Sequence, residues 1–195
     1  MVLLFSFRSS VADWYYVPTG SMEPTIQVGD RVVVDKSAYT LELPFTDVVV
    51  AKTGNINRGD IVIIDSNAAE TRLIKRVVAI EGDKVKLENN VLFINGEKAT
   101  VSAKGHNLYS EQILGQTRTI ALNPLPSPAK NFNLVTVPRD HVLAMGDNRN
   151  NSVDSRYYGF IPIEEIQGKA NSVAFSLDPD DMYLPRKDRL FTSLQ

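Results

Sequence analysis

Short runs rich in valine and isoleucine recur along this chain, at residues 30–35, 47–51, 60–65, 72–80, 84–87, 91–94 and 142–145. Gly-Asp, Asn-Asn and Asn-Gly pairs separate them. β-Branched side chains fit a pleated surface, whereas Gly and Asn tolerate the backbone that tight hairpin turns require. The pattern limits the chain to a mostly β fold of twisted antiparallel sheets and barrel-like parts. Asn89 and Asn90 are expected to turn one hairpin and Asn95-Gly96-Glu97 the next. No long amphipathic helix is visible; residues 163–166, after Pro162, suit only a short helical turn.

The 195 residues are enough for one well-cored domain with an elaboration. A net charge of -2 offers no electrostatic case for a nucleic-acid partner. The chain has no Walker motif, dinucleotide fingerprint or zinc-ligand spacing, so no cofactor or metal is expected. The absence of cysteine excludes a thiol nucleophile and disulfide support.

Three stretches carry chemistry. In Val17-Pro18-Thr19-Gly20-Ser21-Met22-Glu23-Pro24-Thr25 a serine sits in a turn bounded by two prolines. Pro fixes φ and Gly frees it, so the backbone at Ser21 is held in one shape. A hydroxyl on a rigid turn is how a nucleophile is usually offered to a substrate, although serine in turns is more often only a turn residue. In Arg72-Leu73-Ile74-Lys75-Arg76-Val77-Val78-Ala79-Ile80 a strand alternates its side chains, so Lys75 shares a face with Leu73, Val77 and Ala79. An ammonium among apolar neighbours loses hydration and its pKa falls, which suits a general base. The alternative is a solvated strand with three cations. The third stretch runs from Met145 to Pro162 and is dense in Asp, Asn, Ser and Arg. It is no EF-hand: counting from Asp147, the sixth residue is Ser152 and the twelfth Tyr158, where Gly and Glu are needed.

Together these stretches resemble bacterial type I signal peptidase, the membrane-associated serine protease family that removes signal peptides from exported proteins. The resemblance lies in four boxes that occur in the family's order. They are Gly20-Ser21-Met22-Glu23-Pro24-Thr25, then Gly29-Asp30-Arg31-Val32-Val33-Val34, then Ile74-Lys75-Arg76-Val77-Val78-Ala79 with Glu81-Gly82-Asp83, and last Gly146-Asp147-Asn148-Arg149 through Ser152, Asp154, Ser155, Arg156 and Gly159. The resemblance implies a Ser-Lys dyad, with Ser21 as nucleophile and Lys75 as general base. It implies that Ser152 orients the lysine and that the Thr19 hydroxyl joins the Ser21 N–H in the oxyanion hole. Asp154 and Arg156 would form a buried ion pair supporting the site, with Asp147 and Arg149 in a similar role. Val17, Pro18, Met22, Leu73 and Ile74 would line small pockets that admit small side chains at the -1 and -3 positions. The chain's two histidines, His106 and His141, lie outside the boxes, so neither is expected to be the base.

The resemblance also divides the chain. Residues 1–16 read as the end of a membrane anchor, because the apolar run from Val2 to Phe7 ends at Arg8 and is far shorter than the ~20 residues that span a bilayer. Residues 17–98 and 138–195 form the catalytic core. Residues 99–137, broken by Gly105, Gly115, Pro124, Pro126 and Pro128, are the place of a variable inserted region, or else a long surface loop. Val11, Trp14, Tyr15, Tyr16, Val17 and Met22 would give an apolar surface against lipid, where Trp and Tyr suit the headgroup zone. The implied partners are exported preproteins and the lipid bilayer surface. The implied place is the bacterial cytoplasmic (inner) membrane, with the catalytic part on its outer, periplasmic side. A conjugation or pilin-maturation peptidase with the same dyad remains an alternative, as does a non-catalytic relative that binds signal peptides without cutting.

Overall fold

The computed structural model describes residues 12–42, 49–124 and 127–194. The anchor-like run at 2–8, Val11, part of the run at 47–51 and Pro126 lie outside the described residues. The first strands are β1 (Ala12–Tyr16), β2 (Asp30–Asp35), β3 (Thr40–Glu42), β4 (Val49–Lys52), β5 (Ile61–Ser66) and β6 (Thr71–Ile80). Next come β7 (Lys84–Glu88), β8 (Val91–Ile94), β9 (Glu97–Lys98), β10 (Thr100–Gly105), β11 (Leu108–Ile113) and β12 (Gln116–Ala121). The last are β13 (Phe132–Thr136), β14 (His141–Met145), β15 (Ile161–Pro162), β16 (Ile166–Asp178), β17 (Leu184–Pro185) and β18 (Thr192–Ser193). Among the described residues one short α-helix, α1 (Ser155–Tyr158), interrupts them. The expected turn after Pro162 is a 3-10 turn over Ile163–Glu165. No helix among the described residues is long and apolar enough to cross a membrane.

The largest sheet runs β1-β2-β16-β5-β6-β14-β15, with β17 and β18 also paired to β16, and every pair is antiparallel. Its centre is buried on both faces. Ile61 and Ile63 of β5 enter one apolar cluster with Val17, Met22, Ile26, Val32 and Val34. Val62 and Ile64 enter another with Val77, Val142 and Ala144. That is why β5 reads Ile-Val-Ile-Ile, with no polar alternation.

β6 departs from strict alternation. Its pairing to β14 shifts register between Leu143 and Ala144, and Val78 and Ala79 both pack into a third cluster. The expectation that Ala79 shares a face with Lys75 therefore fails at this bulge, because one extra residue flips the pleat. The third cluster joins β6 to the sheet β13-β7-β8-β9 through Val85, Leu87, Leu92 and Ile94. The turns between β7, β8 and β9 use positive φ at Asn89, Asn90, Asn95 and Gly96.

Residues 99–137 hold strands in place of a surface loop. β10, β11 and β12 form a separate antiparallel meander, and β13 pairs with β7. Gly105 and Gly115, with φ of 92° and 74°, close its two hairpins.

Candidate active site

Ser21 lies on the tight turn between β1 and β2. Two backbone bonds shape it: Glu23 N donates to Gly20 O and Ile26 N to Met22 O. Met22 and Ile26 are fully buried beneath it, which anchors the turn to the core. The segment after β14 grips the same turn from above. Asn148 N donates to Ser21 O at 3.1 Å, and Asn148 Nδ2 donates to Gly20 O at 3.0 Å.

Lys75 reaches this turn from the middle of β6. Its Nζ lies 2.9 Å from Ser21 Oγ and donates at 2.9 Å to Ile74 O. The residue is 3% exposed, which excludes a solvated strand face for it. Burial is the dominant influence on the amine and lowers its pKa from 10.5 to about 8; the Asp154 and Asp147 charges pull upward and Arg156 downward. An amine with that pKa, in contact with a hydroxyl, can take the hydroxyl's proton near neutral pH.

Asp154 organises the other side. It accepts from Gly146 N at 2.9 Å, from Ser152 Oγ at 2.7 Å, and from Arg156 Nε and Nη2 at 2.8 Å each. It also caps α1 through Arg156 N. Burial works against its charge, but these donors hold its carboxyl below the usual range. Ser152 thus points its hydroxyl at Asp154, while the two hydrogen bonds of Lys75 among the described residues go to Ser21 and Ile74.

The last three of the four boxes contribute buried aspartates, each held by an arginine. Asp30 takes Arg189, Asp83 takes Arg58, Asp147 takes Arg76 and Asp154 takes Arg156. Asp147 also accepts from Thr25 Oγ1 at 2.6 Å, tying the serine turn to the loop after β14. Asp147 and Arg149 do not form the pair expected of them. Arg149 pairs instead with Glu111 of β11, which also holds Arg118. Glu111 is fully buried, yet the two guanidiniums bring its pKa down to about 2. The meander of β10–β12 is thereby fastened to the loop that carries Asp147 and Asp154.

A family model described as "Signal peptidase, peptidase S26" matches residues 1–175, the span that holds the serine turn, the lysine strand and the loop behind them. The chain belongs to that signal peptidase family. A signal peptidase I of Pseudomonas aeruginosa is 33% identical over 97% of this chain and 74% of its own length. A probable signal peptidase I-2 of Synechocystis is 31% identical over 87% of this chain, which spans 66% of that relative. Among solved structures, a signal peptidase I from Enterococcus faecalis V583 aligns with a TM-score of 0.40 at 28% identity, over 59% of this chain and 96% of that one. As a member of the family, the protein is a serine endopeptidase that removes signal peptides.

The remaining signal peptidase positions read from sequence distribute unevenly. Thr19 and Pro18 are exposed beside the serine turn, and Leu73 and Ile74 are half-buried. Val17 and Met22, at 1% and 0% exposure, belong to the core beneath the turn. Met22 is therefore no part of an exposed apolar surface, whereas Trp14 and Tyr16 are exposed. His106 sits in an exposed turn and His141 Nδ1 lies 2.7 Å from Arg139 O, so neither bonds to the dyad. Sequence reasoning placed Asn148 in the last box but gave it no role, and the structure shows it gripping the serine turn.

Gly146 makes the closest approach in the site. A Cβ there would run into Ser152 Oγ and Ser21 O. Neither neighbour can yield, since Ser152 is held by Asp154 and the Ser21 carbonyl by Asn148. Gly146→Ala is expected to destabilise the fold by about 1–3 kcal/mol, as overpacking does, and to slow cleavage by displacing Ser21. Thermal unfolding and a cleavage assay on the same preparation check both.

Proposed function

We propose that Ser21 is the nucleophile and Lys75 the general base of a Ser-Lys dyad that cleaves preproteins after small residues at -1 and -3. The observation that carries this reading is the 2.9 Å approach of a buried Lys75 Nζ to Ser21 Oγ. Neutral Lys75 accepts the Ser21 hydroxyl proton as Oγ adds to the scissile carbonyl. The Ser21 N–H, uncommitted among the described hydrogen bonds, and the Thr19 hydroxyl face the developing oxyanion. Lys75 then returns its proton to the leaving amine as the C–N bond breaks. Water, deprotonated by the same amine, hydrolyses the ester and frees Ser21.

Asp154, Arg156 and Ser152 position the loop behind the lysine and touch no substrate. Pro18, Leu73 and Ile74 line the -1 and -3 pockets, with Val17 and Met22 shaping them from the core side. Exposed Trp14 and Tyr16 suit a lipid headgroup zone, which supports action at the outer face of the cytoplasmic membrane on exported preproteins.

The test is cleavage of a preprotein carrying an Ala-x-Ala site by wild type and Ser21→Ala, in detergent or lipid, across pH. Wild type is expected to cut after the second alanine and Ser21→Ala not at all. A general base must be neutral, so kcat/KM should rise about tenfold per pH unit below pH 8 and level off above it. A flat profile between pH 6 and 9, or cleavage by Ser21→Ala, sinks the dyad.

A further inference from the structure

Beside the serine turn opens a cavity of about 470 Å³ that the proposed dyad and its -1 and -3 pockets do not use. Asn148, which grips Ser21 O and Gly20 O, also lines this cavity, so its mouth adjoins the nucleophile's own backbone. None of Val17, Pro18, Leu73 or Ile74 contributes to it. A polypeptide that fills the -1 and -3 pockets with the residues before the cleaved bond must direct the residues after the bond elsewhere. The cavity, lined by Glu23 and Pro24 of the serine turn and by Asn148, is a space on that side that can take them.

Its chemistry is specific. Pro24, Val28, Leu108, Ala121 and Pro179 give apolar walls, and Glu23 and Asp180 give two carboxylates. Leu108 and Ala121 come from β11 and β12, so the inserted meander forms part of the wall. Arg186 also lines the cavity, but its charge is committed. Its Nη2 pairs with Asp178 at 2.8 Å, and its Nη1 donates to Val28 O at 2.7 Å and Ser176 Oγ at 3.0 Å. The lining is therefore net acidic.

Of the two carboxylates, Glu23 belongs to the serine turn itself, two residues after Ser21. A Cβ built on Gly20 would lie 2.9 Å from Glu23 Cδ and Oε1. Among the described residues this carboxylate accepts no hydrogen bond. Burial pushes its pKa up, and only the field of Arg186 opposes that. A half-buried carboxylate without a donor, at one end of an apolar-walled slot, fits a side chain with an aliphatic stem and a cationic head.

We propose that this cavity receives the residues on the mature side of the cleaved bond, and that Glu23 selects a lysine or arginine side chain there. The proposal rests on Ser21 being the nucleophile. Cleavage would then discriminate among substrates by the residues after the bond as well as by those before it.

The test uses preprotein peptides identical through Ala-x-Ala, with Lys, Gln or Glu placed at each of the first three positions after the bond. At one of those positions, wild type is expected to show kcat/KM about fivefold higher for Lys than for Glu, with Gln between, as for a partly exposed charge pair. Glu23→Gln should collapse this ratio and Glu23→Lys should invert it, and added salt should narrow it in wild type. Asp180→Asn should weaken it in part. Equal rates for Lys and Glu in wild type, or a ratio that Glu23→Gln leaves unchanged, overturn the subsite. No cleavage of any peptide by wild type would instead overturn the reading of Ser21 and Lys75. The subsite is then read from binding of the mature-end peptides by fluorescence anisotropy, where a Lys preference lost in Glu23→Gln sustains it and no preference overturns it.

Discussion

Lys75→Met is expected to abolish cleavage while leaving the fold at least as stable at pH 7. The two effects have one cause. At neutral pH the amine is buried, and its pKa of about 8 means that the folded state carries the proton less readily than an unfolded chain does at 10.5. A depressed lysine pKa is a destabilisation that is fully present below pH 8 and fades as pH rises towards 10.5. A shift of this size corresponds to about 3 kcal/mol. Methionine fills similar volume without the charge, so that penalty disappears. Loss of the bonds to Ser21 Oγ and Ile74 O offsets part of the gain. Loss of the base should reduce kcat/KM by about four orders of magnitude or more, the range seen when a catalytic unit loses one member. Circular-dichroism melting at pH 7 and pH 10, alongside the cleavage assay, separates the outcomes. A variant that is inactive and much less stable at pH 7 would mean that Lys75 serves the fold. A stability gap that fails to narrow between pH 8 and 10 would mean that the amine is not depressed.

How legible each feature is in the sequence depends on how local it is. The Ser21 turn is written in adjacent residues, because Pro, Gly and a buried Met-Ile pair shape it within a few positions. The strands β2, β5, β6 and β8 were legible because unbroken runs of Val and Ile meet buried sheet faces. β16 was not, although it is the longest strand at 13 residues and the partner of both β2 and β5. Its register shifts three times, between Ile166 and Gly168, Ala170 and Ser172, and Val173 and Phe175. Each shift resets the pleat, so no two-residue period survives in its sequence. The β10–β12 meander was hidden for a different reason. Its first strand is mostly exposed, all three are rich in Ser, Thr and Gln, and the glycines that close its hairpins read as loop breakers. Ion-pair partners were the least legible. Arg76 and Asp147 stand 71 residues apart and Arg189 and Asp30 159 apart, so each looks like an ordinary solvated charge until the fold joins them. Arg149, two residues from Asp147, invited a local pairing that the distant Glu111 outcompetes.

The largest loss of stability is expected for Asp154→Ala. The carboxylate satisfies four groups at once: the Arg156 guanidinium, the Gly146 N–H, the Ser152 hydroxyl and the first turn of α1. Its removal leaves Arg156, with a side chain 1% exposed, as a buried charge without its counter-ion. Breaking such a pair from one side destabilises by about 3–5 kcal/mol. Because the folded pKa of Asp154 lies below its usual value, this stability is present above the ordinary aspartate range and is lost as pH falls through it. The gap between wild type and variant should therefore shrink below about pH 4. Asp154→Asn keeps the volume and answers whether the residue also acts on the chemistry. Its charge raises the Lys75 pKa, so its loss should move the rising limb of the pH–rate profile below pH 8. A residue that only braces the loop would lower the rate and leave that limb where it was. A shifted limb would show that Asp154 holds the proton affinity of the base above the level that burial alone would set, burial being what lets an arrangement without histidine run near neutral pH.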